Sequence, residues 1–460
     1  MQSGAQPHDP AEHQPVFVED RLTRVIKDVS THSRQHHRHH HVKPRWLLSD
    51  GFSYVWWGQV VSQVGDGISK LALLWFVYSV TGSPLKTSII GILQTAPAIV
   101  LAPLIGVAVD RLPKKALLIT SDLVRAVVIG LIPCWMSGES FTVGSLYILV
   151  TLHAVATAVF GPALTAAVPS LVVPAQYTSA NALLQITTSL GIIFGPALSG
   201  LGIAALSSQE VLCLNALTYV ISAACFVPIR FAPPALSLGS RSPIASAWRD
   251  VVDGLHYVLK GRRIIIFLTI TASLYTFATS AFTTLFPVFA RKLLDLGPVE
   301  VGYLWSMLGV GLLSVSVALT IISAWSIKRR IKVIAFASTM SGLVLLALVN
   351  TNQASSAGVL LMLLGAGLGV LTPVAWGVLQ EVAPAHMLGR VLAFYTLGAM
   401  GAAMAGITTF GWITGQFGVP AAVVTIGLVM GCTGLSVWRF LDAGSDRPPK
   451  REPPLVRDQV

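Results

Sequence analysis

Residues 106–115 read GVAVDRLPKK, and Asp110, Arg111, Lys114 and Lys115 place four charges in those ten positions. The preceding stretch, TAPAIVLAPLI at 95–105, carries none. The whole 460-residue chain is 11% charged and 53% hydrophobic, with a mean hydropathy of +0.71. Soluble domains average roughly 25% charged residues. There is too little polar side chain here to cover a water-facing surface, and what exists is gathered between long uncharged runs. A helix that crosses a bilayer needs about 20 mostly apolar residues. The charged stretch is therefore the end of one membrane span and the turn into the next.

Working outward from it, twelve apolar stretches qualify as spans: 52–80, 86–109, 115–136, 143–169, 178–205, 209–230, 264–290, 298–323, 332–350, 355–380, 388–412 and 419–440. The connectors are short except 231–263. The expected domains are a His-rich polar tail (1–50), a first six-helix bundle (51–230), a linker (231–263), a second six-helix bundle (264–441) and a polar tail (442–460). The N-terminus lacks the short apolar core of a cleavable signal. Cys134, Cys213, Cys225 and Cys432 fall in or beside apolar runs with no metal spacing, which makes them small packing residues.

Lysine and arginine in the connectors set the orientation. One alternate set holds RLPKK (111–115), the linker with Arg230, Arg241, Arg249, Lys260, Arg262 and Arg263, and KRRIK (328–332). The other set holds only Lys86, Arg291 and Lys292. The first set is expected in the cytoplasm, together with both termini, in the cell membrane. The net charge of +11 thus sits at span ends, which argues against a nucleic-acid partner. Within the linker, Trp248, Val251, Val252, Leu255 and Leu259 recur at helical spacing, as in an amphipathic helix on the membrane surface. Leu22, Val25, Ile26 and Val29 repeat the pattern more weakly.

The two halves echo each other. VPSLVVPAQYTSANALLQ (168–185) aligns without gaps on VLQEVAPAHMLGRVLAFY (378–395), with Pro174 over Pro384. Repeated halves with a site at their interface are a transporter architecture. No catalytic constellation stands out, so an enzyme is not expected.

The pattern Gly106-x-x-x-Asp110-Arg111-x-x-Lys114-Lys115, between spans 2 and 3 of twelve, resembles the signature of the major facilitator superfamily, with Pro113 in place of the usual second glycine. The resemblance covers residues 50–441. It implies an all-α integral membrane protein of twelve transmembrane helices in two pseudo-symmetric six-helix bundles, working as a monomer. It also implies a gating role for the stretch, Asp110 holding neighbouring helix ends together. From the residues themselves, Gly106 and Ala108 would let a neighbouring helix approach closely. Glu381 and Arg390, flanking the turn between spans 10 and 11, suggest a gate pair in the second half. GIIFGPALSG (191–200) is similar to the span-5 pattern of the superfamily's drug–proton antiporters, with Ser199 replacing one glycine. Gly191, Gly195 and Gly200 would clear one helix side, and Pro196 would bend it. DRLPKKALLITSDLVRA and WRDVVDGLHYVLKGRR resemble the subgroup containing enterobactin and macrolide exporters.

Ionisable residues inside spans cost several kcal/mol and are functional candidates. Asp66 lies mid-span 1, with Gln63 and Lys70 at helical spacing on its face. A carboxylate in such surroundings can exchange a proton near neutral pH, which makes Asp66 the first candidate for proton coupling; an Asp66–Lys70 pair is the alternative. Asp122 and Arg125, three apart in span 3, form an intrahelical pair, Asp122 being a second candidate and His153 of span 4 a third. Drug antiporters of the superfamily often carry a span-4 arginine, and span 4 here has none. The candidate cavity lining is Gln59, Gln63, Gln94, Gln185, Tyr275, Phe282, Trp305 and Trp376, which suits a bulky amphipathic or mildly cationic ligand.

Two other features carry less weight. The tract THSRQHHRHHHVKP (31–44) has six histidines, but no His/Asp/Glu cluster in the spans would carry a bare metal, and no resident metal or cofactor is expected. GAGLGV (365–370) lies in an apolar span without a preceding strand, so it is helix packing. With no phosphate-binding lysine loop, energy is expected from an ion gradient. The expected protein is a proton-coupled exporter of a lipophilic drug-like molecule or siderophore. A lysophospholipid or nutrient facilitator and a membrane sensor using the His-rich tail are the alternatives.

Overall fold

In a computed structural model, residues 51–136, 142–173, 176–229, 263–322, 325–351, 353–383 and 387–445 are described. The tail at 1–50 with its histidines, the linker helix, Pro174, Pro384, the Asp110 side chain and the chain beyond 445 lie outside the described structure. The described residues form helices α1 (Gly51–Thr81), α2 (Pro84–Val100), α3 (Ala102–Arg111), α4 (Lys114–Met136), α5 (Val143–Ala167), α6 (Tyr177–Ala205) and α7 (Ser208–Phe226) in the first half. The second half holds α8 (Arg263–Leu294), α9 (Pro298–Ile322), α10 (Ile327–Val349), α11 (Ala354–Leu368), α12 (Leu371–Val382), α13 (Leu388–Phe417) and α14 (Val419–Ser445).

Ten stretches are long and apolar enough to cross a membrane, and the bent pair α2–α3 supplies another. The longest stretch, Leu388–Leu441, is two helices divided at Gly418. That gives the twelve expected spans. At 1.5 Å per residue the 31 residues of α1 reach about 46 Å, more than the hydrocarbon core requires. Large apolar side chains such as Val127, Ile148, Phe336 and Leu428 stand exposed on the outside, a surface suited to lipid rather than water.

Local chemistry sets the helix ends. Ser83, Thr142 and Ser207 each accept a backbone N–H from three residues on, capping α2, α5 and α7. Gly418, at φ 85°, turns the chain between α13 and α14 in a single residue, a conformation that costs a side chain-bearing residue energy. Hydropathy alone does not reveal the breaks in spans 2 and 10. Span 2 turns by 57° at Leu101, where Pro103 has no N–H to continue the ladder. Span 10 breaks at Gly369 and Val370, before Pro373.

Two six-helix bundles result. In the first, α1 packs on α6 and α7, and α4 on α5 and α7; in the second, α8 packs on α13 and α14, and α10 on α14. The bundles meet where α6 runs against α9 and α2 against α13. Several close approaches across this seam lie toward the end remote from Gly51, where α1 begins. A Cβ on Gly200 would sit 2.4 Å from the Pro298 carbonyl oxygen, and one on Gly302 2.3 Å from that of Pro196. Two cation–π contacts cross in opposite directions: Arg291 of α8 lies 5.2 Å from the Trp75 ring of α1, and Lys70 of α1 lies 5.7 Å from the Trp305 ring of α9.

The span-5 glycines serve two neighbours rather than one, Gly191 and Gly195 meeting α1 and Gly200 the start of α9. A Cβ on Gly191 would fall 2.3 Å from the Gln63 carbonyl oxygen, and one on Gly195 2.6 Å from Gly67 Cα, so α6 and α1 touch backbone to backbone. Gly106 behaves otherwise. Nothing lies within 4 Å of where its Cβ would stand; the buried residues on either side of it, Ile105 and Val109, belong instead to an apolar cluster with Leu118 and Phe160. Gly195→Val is therefore expected to reduce sharply the yield of monodisperse protein on size exclusion in detergent, whereas Gly106→Val keeps it. Equal yields for the two would contradict this packing.

Candidate functional site

Asp66 stands at the middle of α1, and three other helices build a polar network around it. The Tyr219 hydroxyl of α7 donates to Asp66 Oδ1. Arg125 of α4 places Nη1 3.9 Å from Asp66 Oδ2, and its Nη2 donates to Asp122 one turn earlier on the same helix. His153 of α5 holds Nε2 2.9 Å from the Tyr219 hydroxyl. That hydroxyl has one hydrogen, already given to Asp66, so His153 Nε2–H is the donor to it. A continuous polar path runs His153–Tyr219–Asp66–Arg125–Asp122 through apolar surroundings.

Arg125 is the centre of this network. Its side chain is 2% exposed and that of Asp122 0%, while Asp66 keeps 29%. The guanidinium also lies 4.1 Å from the Phe160 ring and 4.5 Å from the Tyr219 ring. A planar, always charged group suits a site between two rings and two carboxylates, where an ammonium would not. Span 4 has no arginine, yet a buried guanidinium reaches its Phe160 from span 3.

The exposed side of Asp66 faces a cavity of about 350 Å³. Asp66, Ser69, Lys70 and Leu73 of α1 form one wall, Gln94 and Thr95 of α2 another, and Ile129, Val150, His153, Ala154 and Thr157 the rest. Cavity wall and network thus share the Asp66 carboxylate and the His153 ring.

Several expected positions come together here, and several do not. Asp66 and His153 line the cavity, with Asp122 just behind, and Gln94 is in the wall. Trp305 meets the site through Lys70. The expected Asp66–Lys70 pair does not form; Asp66 turns to Arg125 and Tyr219 instead, since neighbouring helices offer it a guanidinium and a hydroxyl. Gln59 is 1% exposed and Phe282 1%, both packed between helices, and Tyr275 donates to the Gly367 carbonyl 3.1 Å away. Gln63 is half-buried beside Gly191, and Gln185 and Trp376 are exposed away from this cavity's lining.

At the end of the first bundle where α1 begins, Lys115 Nζ donates to the Val227 carbonyl at 2.6 Å and ties α4 to the end of α7. Arg111 is exposed and Lys114 half-buried. Glu381 takes Arg330 of α10 as its ion-pair partner, while Arg390 Nη1 lies 3.7 Å from Met387 Sδ. The expected Glu381–Arg390 pair is replaced because KRRIK begins a helix packed against α12. Sequence reasoning missed Tyr219 altogether. Its signal is a phenol one turn beyond Asn215 in an otherwise apolar span.

Twelve spans in two bundles, with buried charge and a cavity near mid-membrane, define a transporter architecture. The sequence profile of the Major Facilitator Superfamily matches residues 55–407, and the chain belongs to that superfamily. It is 27% identical to macrolide efflux protein A of Streptococcus pyogenes over 56% of this chain and 62% of that protein's length. With the multidrug efflux pump Tap of Mycolicibacterium fortuitum it shares 25% identity over 80% of this chain and 90% of the pump. Its fold is similar to that of the nucleoside transporter NupG, with a TM-score of 0.68 at 13% identity, covering 86% of this chain and all (100%) of that one.

Proposed function

We propose that the protein exports a lipophilic drug-like molecule across the cell membrane in exchange for protons. The observation that carries this reading is the position of Asp66, at once a wall of the cavity and the end of a hydrogen-bonded path through Tyr219 to His153. As a carboxylate it accepts from Tyr219 and attracts Arg125. Once protonated it can donate to the Tyr219 hydroxyl, which turns its own hydrogen to His153 Nε2 as the imidazole gives up its hydrogen there and takes one at Nδ1. The same proton weakens the hold on Arg125, so proton and ligand favour different arrangements of one site. The relatives named as efflux proteins and the span-5 pattern support outward export. The close seam at the end remote from Gly51 supports a state that loads from the side where α1 begins.

Inside-out vesicles containing the protein, with an acidified lumen, are expected to accumulate the neutral lipophilic dye N-phenyl-1-naphthylamine, and a proton ionophore is expected to release it. Accumulation indifferent to the ionophore would remove proton exchange from this reading. No accumulation of this dye or of a wider compound panel would remove export.

A further inference from the structure

We propose that Lys70 is an anion-binding subsite, and that the cavity takes an amphipathic acid, an apolar body carrying one anionic head. This rests on the transport reading of the cavity and narrows its ligand. Lys70 stands one turn beyond Asp66 on α1 and is exposed to the cavity. Among the described residues it has no carboxylate partner, because Asp66 is engaged by Tyr219 and Arg125. Its recorded compensation is the Trp305 ring, 5.7 Å from the ammonium and near the limit of a useful cation–π contact. A cation at this depth costs several kcal/mol unless something answers it.

The cavity shows what would. Leu73, Ile129, Val150 and Ala154 offer an apolar wall, and Gln94 lies in the wall opposite Asp66's helix. An apolar body fits the former while an anionic head accepts from the ammonium, a charge-assisted bond stronger than a neutral one. A cationic ligand would meet Lys70 unscreened, and the nearest carboxylate already serves Arg125. Because Trp305 belongs to the other bundle, an acid that draws the ammonium off the ring also changes a contact between the bundles.

The test is calorimetric titration of the purified full-length protein in detergent with 1-naphthylacetate and its neutral counterpart 1-naphthylacetamide. Wild type is expected to bind the acid more tightly than the amide. Lys70→Gln is expected to weaken acid binding by about tenfold or more and to leave amide binding unchanged, and Lys70→Arg to restore the preference. The proposal is overturned if wild type binds the acid no better than the amide, or if Lys70→Gln loses both ligands alike. Binding in detergent does not depend on direction or coupling. An acid preference without export of the neutral dye or of any compound in the panel would therefore strike the export reading alone, and export without an acid preference would strike this one.

Discussion

Asp66→Asn is expected to reduce pH-gradient-driven accumulation of N-phenyl-1-naphthylamine in inside-out vesicles to the level of vesicles lacking the protein, with the variant still purified as a monodisperse species. Asparagine keeps an oxygen to accept from Tyr219 and nearly the same volume, and Arg125 retains Asp122. What disappears is the group that can hold a proton at the cavity wall. The variant should still exchange ligand across the membrane down its own gradient, since the cavity is intact. A variant with undiminished proton-driven accumulation would place coupling elsewhere, and His153 would be next to examine.

Arg125→Leu is expected to be worse for the fold than for any single step of transport. Removing one member of a buried ion pair costs roughly 3–5 kcal/mol, because the remaining charge is left without a partner. Here two carboxylates, Asp122 and Asp66, lose their shared cation, and Phe160 and Tyr219 lose the flat group between them. Little folded protein should be recovered, and what is recovered should show a markedly lower thermal midpoint in detergent. Arg125→Lys should recover only part of the loss, since an ammonium cannot serve both oxygens and both rings. Combining Arg125→Leu with Asp122→Asn should recover stability relative to Arg125→Leu alone. An Arg125→Leu protein as stable as wild type would mean that the network is ornamental.

The spans were legible because the bilayer imposes composition: Val, Ile, Leu and Ala dominate wherever lipid or another helix is the neighbour. Hydropathy has no view of helix continuity, so the breaks at Leu101 and at Gly369–Val370 went unseen although Pro103 and Pro373 mark them. The charged site residues were legible for the same reason that they are costly. Pairing was legible within a helix, as Asp122–Arg125 shows, and illegible between helices. Asp66 has Lys70 one turn away by sequence, yet its partners come from α4 and α7, 59 and 153 positions along. Glu381 likewise takes Arg330, 51 positions back, over Arg390. Tyr219 was hidden because a phenol in an apolar run is commonplace until a carboxylate is found opposite.

Arg291, resting beside Trp75 and Tyr78 where the bundles meet far from Gly51, sets a condition on how the molecule can part there. The contact joins a flat cation to two ring faces, which is weaker and less directional than the ion pairs of Arg125. Such a surface can slide before it breaks, so the bundles can begin to tilt without first leaving a charge stranded. The far closure is a latch of low friction, and the stiff joint lies deeper, at Asp66 and Arg125.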